Sequence, residues 1–63
     1  METRIYIYLN GETFTYDGTD ELVDYFLAAV GTGAISSEYE KRTVVKDNEE
    51  ITNYYFYTID QED

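Results

Sequence analysis

Two stretches of alternating residues flank an Asn-Gly pair, and this feature constrains the fold more than any other. Arg4-Ile5-Tyr6-Ile7-Tyr8-Leu9 alternates, Asn10-Gly11 intervenes, and Glu12-Thr13-Phe14-Thr15-Tyr16 alternates again. A type I′ turn needs positive φ at both central positions, and Asn-Gly meets that need at low steric cost. A two-residue loop also sets the register, since a slip of one residue turns every side chain to the opposite face. The expected pairs are Leu9 with Glu12, Tyr8 with Thr13, Ile7 with Phe14 and Ile5 with Tyr16. Ile5, Ile7, Phe14 and Tyr16 then face the core. Tyr6, Tyr8, Thr13 and Thr15 face the other way, with Arg4 opposite Asp17.

Asp17-Gly18-Thr19 reads as a turn into a helix. Thr19 is a suitable N-cap, and Asp20 and Glu21 fall in the first turn, where carboxylates favour the helix dipole. Leu22, Val23, Phe26, Leu27 and Val30 form one apolar stripe at helical spacing. Gly31 is the expected stop, with Thr32-Gly33 behind it. The spacing predicts a helix over roughly residues 20–30 whose outer face carries Asp20, Asp24 and Ala28, flanked by Glu21 and Tyr25.

The second half reads as another hairpin. Residues 38–46 mix charges with β-branched residues, as an edge strand does. Asp47-Asn48-Glu49-Glu50 is the expected turn, and its oxygen ligands lack the alternation and the glycine of a calcium loop. Residues 51–59 include Tyr54-Tyr55-Phe56-Tyr57, apolar toward both faces, which suits a central strand. Two registers remain open: a five-residue loop pairs Val45 with Ile51 and Tyr39 with Tyr57, and a three-residue loop pairs Val44 with Tyr54. Residues 60–63 are expected to form a short frayed acidic tail.

The order ββαββ predicts a single α+β domain over residues 1–63, β-hairpin–α-helix–β-hairpin, with one helix across one face of a four-stranded β-grasp-like sheet. Leu9-Asn10-Gly11-Glu12-Thr13-Phe14 is similar to the first hairpin of the immunoglobulin-binding domains of streptococcal protein G. The similarity spans about ten residues, and what it implies is the fold.

Chemistry is constrained by what is missing. The chain has no Cys and no His, which removes disulfides, thiolate and imidazole metal ligands, and the commonest catalytic bases and nucleophiles. Ser36 and Ser37 have no evident activating base. Carboxylate pairs need a cleft, which so small a domain rarely encloses. Gly31-Thr32-Gly33 has no neighbouring cation and follows a helix, unlike a phosphate-binding loop. An enzyme is not expected, nor is a metal or any other cofactor. No continuous apolar segment suggests a leader or a membrane span, so a cytoplasmic protein is expected.

Charge points toward a partner. Fourteen carboxylates face four basic groups, for a net charge of −10. Such a surface repels nucleic acid and anionic membranes and attracts basic proteins. A compact chain of this length has a radius of gyration of about 11 Å and hence a diameter of roughly 27 Å. Duplex DNA of that length carries about sixteen phosphates, so the two charge densities are comparable. The expected function is therefore a small acidic inhibitor that mimics phosphates and blocks the basic DNA- or RNA-binding site of a partner. Phage-type anti-defence (anti-restriction or anti-CRISPR-like) or host-takeover inhibitors and nuclease immunity proteins work in this way. Asp20, Glu21, Asp24, Glu38, Glu40, Glu49 and Glu50 are the expected phosphate mimics, with Tyr6, Tyr8 and Tyr25 as aromatic anchors. The alternative is a non-mimicking interaction or structural module that binds through a Tyr-rich sheet face or through the edge strand.

Overall fold

The structure, a computed structural model, describes residues 2–59; the expected tail at 60–63 lies outside them. The elements run β1 (Glu2–Leu9), β2 (Glu12–Thr15), α1 (Asp20–Gly31), β3 (Glu40–Lys46) and β4 (Glu49–Phe56). The sheet order is β2-β1-β4-β3. β1 and β4 pair in parallel at its centre, and each pairs antiparallel with its own hairpin partner. This is the expected α+β arrangement, with one helix packed on one face of a four-stranded sheet.

The first turn forms as its sequence dictates. Asn10 and Gly11 have φ of 53° and 82°, and Leu9 pairs with Glu12 and Tyr8 with Thr13. The register then departs from expectation. Ile7 pairs with Thr15 instead of Phe14, because Phe14 is the extra residue of a β-bulge. Beyond the bulge the alternation inverts. Tyr16 therefore leaves the expected core face and sets its ring edge-on against Tyr6 at 5.0 Å. Phe14 stays on the helix side but is more than half exposed, with its ring edge-on to Phe26 at 5.2 Å. Gly18 then returns the chain to β1, donating its N–H to the Ile5 carbonyl at 2.8 Å. A Cβ on Gly18 would sit 2.9 Å from Ile5 Cγ2, so glycine is the residue that fits this approach.

Thr19 caps α1 by accepting the Leu22 N–H on its Oγ1 at 3.1 Å. The helix includes Gly31, one residue beyond the expected span of 20–30. Thr32 is the C-cap, and Gly33, at φ 81°, takes the left-handed position expected for Gly31. The Gly33 N–H then bonds Val30 and the Ala34 N–H bonds Ala29, the two bonds of a Schellman motif. Val23 and Phe26 are buried from the apolar stripe, and Leu22, Leu27 and Val30 pack around them.

The second hairpin takes neither open register. Asp47 and Asn48 adopt φ of 51° and 62° and form a two-residue turn, so Lys46 pairs with Glu49, Val44 with Ile51 and Lys41 with Tyr54. Glu49 and Glu50 thus begin β4 instead of closing a longer turn. Asn and Asp tolerate this left-handed conformation better than other non-glycine residues.

The core joins the middle of the sheet to α1. Ile7 and Phe56 are fully buried, and Val23 and Phe26 nearly so. Phe26 stacks on Phe56 at 4.8 Å, and the Tyr39 and Tyr54 rings lie near-parallel to Phe56 at 5.4 and 5.9 Å. Burying each large apolar side chain contributes about 1.5–3 kcal/mol, so these few rings carry much of the fold. Asn10 adds a tether: its side chain accepts the Thr58 N–H at 3.0 Å and donates to Thr58 Oγ1 at 3.1 Å. The radius of gyration is 12.7 Å, above the expected value of about 11 Å, so the charge is spread over a longer body.

Candidate functional site: two solvent-facing surfaces

The outer surface of α1 follows directly from helical periodicity. Val23 and Phe26 point inward, so Asp20, Glu21, Asp24 and Tyr25 are left in solvent. Asp20 and Glu21 lie beside the first-turn N–H groups, which lowers the cost of placing like charges together. Tyr25 is 70% exposed, more than any other large hydrophobic side chain of the described residues. Its ring meets the edge of Phe26 at 5.9 Å, which steadies it without hiding it. The helix thus presents an aromatic ring beside a row of three carboxylates.

The opposite face of the sheet, which α1 does not cover, follows from strand alternation. The pairing registers place Tyr6, Tyr8 and Tyr55 on it, and the bulge adds Tyr16. Tyr8 and Tyr55 stack at 4.9 Å and 9°. Partial burial pushes the Tyr8 hydroxyl above its usual pKa, and the neighbouring Tyr55, Tyr16 and Tyr6 add to the shift. The same registers put Glu2, Glu40 and Glu49 on this face together with Arg4, Arg42 and Lys46. Arg42 and Glu40 form an ion pair at 3.2 Å. Arg4 is held charged, its pKa raised first by the Tyr6 hydroxyl and next by Glu49. The open face is therefore close to neutral. The other described carboxylates (Glu12, Asp17, Asp20, Glu21, Asp24, Glu38, Asp47, Glu50) share the helix side and the ends with one cation, Lys41, which lies over the Tyr54 ring.

The seven expected phosphate mimics are not gathered into one surface. Asp20, Glu21 and Asp24 stay together on α1. Asp20 and Glu49 line a shallow groove with Glu2, Arg4 and Asp17 where β1, β4 and α1 begin. Glu50 is half-buried on the helix side of β4. Glu40 stands six positions further along the sheet than Glu49, about 20 Å at strand rise. Glu38 lies before β3, its N–H bonded to Ser36 Oγ at 3.0 Å. Of the expected anchors, Tyr6 and Tyr8 share the open face, and Tyr25 lies across the molecule on α1.

Sequence reasoning missed Tyr16, Tyr55, Glu2 and Asp17. Strand alternation marks Tyr55 once the Asp47-Asn48 turn is recognised, whereas nothing in the sequence announces the bulge that moves Tyr16. Among the described residues no group of three or more acidic side chains converges closely enough to hold a metal ion, and no helix is long and apolar enough to cross a membrane. The chain matches no known protein family, no curated protein and no solved structure.

Proposed function

We propose that this chain is a small acidic inhibitor that acts by binding, and that it imitates nucleic-acid phosphates to occupy the basic DNA- or RNA-binding site of a partner protein. The observation that carries this reading is the outer face of α1, where Tyr25 stands exposed at the edge of a row formed by Asp20, Asp24 and Glu21. Interfaces draw much of their binding energy from a central aromatic anchor ringed by groups that exclude water. Here the flank is acidic, with Glu21 one helical turn before Tyr25 and Asp24 beside it, which selects a basic counterpart and speeds encounter with it. Concentrating the carboxylates away from the open sheet face strengthens that field. A cytoplasmic setting, such as phage takeover of a host or immunity against a nuclease, suits such a partner.

A second reading has its own observation. Tyr6, Tyr8, Tyr16 and Tyr55 form a packed aromatic surface with balanced charge on the open face, which suits a non-mimicking interaction module. Salt and competition separate the two. Immobilised protein at about 50 mM salt is expected to retain a basic protein, with affinity falling steeply toward 200 mM as phosphate-like contacts are screened. Duplex DNA is expected to displace that partner. Retention that ignores both salt and DNA would favour the tyrosine face.

A further inference from the structure

Among the described residues β3 is an edge strand of the sheet, and its composition is unusual. It carries three of the four basic groups of a chain with net charge −10, so it is the part of the surface that repels a second copy least. Val44 and Val45 are 50% and 59% exposed on it. Its register against β4 is continuous, without the bulge that blunts β2. Lys46 and Glu49 flank a two-residue turn and so exchange both main-chain hydrogen bonds. By alternation Glu40, Arg42 and Val44 also turn their main-chain groups toward β4, while those of Lys41, Thr43 and Val45 face outward along the free edge.

We propose that β3 pairs antiparallel with β3 of a second copy about a two-fold axis at Thr43. This register brings the outward main-chain groups of Thr43, Lys41 and Val45 into phase with those of the second copy. It sets Glu40 opposite Lys46, Arg42 opposite Val44, and Lys41 opposite Val45, each pair occurring twice. No cation faces a cation directly, and cross-strand pairs of opposite charge are favourable. Lysines on an edge often serve to prevent pairing; in this register they complement it. The two helices would lie on the same side of an eight-stranded sheet. Val23 and Phe26 seat α1 over Ile7 of β1 and Phe56 of β4, so the helices would stand about four strand spacings apart, roughly 19 Å. That exceeds the Debye length of about 8 Å at physiological ionic strength, and their mutual repulsion is screened. The dimer would present two acidic helices side by side.

Sedimentation of the wild-type chain and of Glu40→Lys and Lys46→Glu tests this, with circular dichroism confirming that each variant is folded. The wild type is expected to shift from monomer to dimer between about 1 µM and about 1 mM. Each single variant sets like charges opposite each other and is expected to weaken the dimer about tenfold or more. An equimolar mixture of the two variants restores opposite charges at both sites and is expected to dimerise again. A wild type monomeric throughout, single variants that dimerise like wild type, or a mixture that fails to recover would each overturn the proposal. Self-association is read with no partner present, so its outcome is judged separately from the proposed inhibitor function, for which Glu40 is one of the expected phosphate mimics.

Discussion

The outer face of α1 and the open face of the sheet both meet solvent, and they handle charge in opposite ways. On the helix, Asp20, Glu21 and Asp24 make no ion pair among the described residues and stand beside a protruding Tyr25. On the sheet, carboxylates and cations are matched in number and tyrosine rings pack in pairs. The difference follows from geometry. Side chains on adjacent strands stand about 4.5–5.5 Å apart, so like charges there are costly and complementary pairs are favoured. A helix surface spreads its neighbours over a curved face, and its N-terminal dipole tolerates carboxylates. A chain with this excess of acid thus concentrates its unbalanced charge on the helix side.

The largest expected effect lies beneath that contrast. Phe26→Ala on the inner face of α1 should destabilise the domain by about 3–5 kcal/mol, enough to abolish cooperative urea unfolding followed by circular dichroism. Asp20→Asn, Glu21→Gln and Asp24→Asn together should change stability by about 1 kcal/mol or less, relief of repulsion opposing loss of dipole contacts. Comparable losses from both would mean that the outer face is structural. Next comes the joint between the surfaces. Gly18→Ala forces a methyl against Ile5 and should lower stability by about 1–3 kcal/mol; an unchanged melting temperature would show that the strand return is looser than described.

Smaller effects test the sheet surface itself. A double-mutant cycle on Tyr8 and Tyr55 should give a favourable coupling of about 0.5–1.5 kcal/mol. The same cycle on Asp20 and Asp24 should give a weak repulsion of about 0.2–0.5 kcal/mol. Equal couplings would erase the contrast. Tyr8 also has a folded-state pKa above the unfolded value of 10.0, so its protonated form is favoured by folding. That stability is fully present below pH 10 and is lost as pH rises through the raised pKa. The melting temperature should fall above pH 10, and Tyr8→Phe should lessen the fall.

Where a structural rule reads a single residue pair or period, the sequence was legible. Asn10-Gly11 announced its turn, the stripe from Leu22 to Val30 announced α1 and its exposed carboxylates, and the mixed composition of residues 38–46 marked an edge. What escaped depended on competition between equally ordinary choices. Phe14 as a bulge residue has no local signature, and the bulge alone moved Tyr16 to the open face. Asp47-Asn48 forms a left-handed turn that a run of four polar residues conceals, and missing it left the register of β4, and so the place of Tyr55, undecided. Two glycines near the end of α1 competed for one left-handed position, and Gly33 took it.

The proposed function places partner binding on the outer face of α1 and not on the tyrosine face. Calorimetric titration of the protein retained at low salt against three chains tests it: wild type, the Asp20→Asn, Glu21→Gln, Asp24→Asn variant, and Tyr6→Ala with Tyr8→Ala. Losing a desolvated charge contact typically costs about 2–5 kcal/mol, so the carboxylate variant should lose at least about thirtyfold in affinity while the tyrosine variant stays within about threefold of wild type. A carboxylate variant that binds like wild type, beside a tyrosine variant that does not bind, would contradict the account and assign the site to the open face.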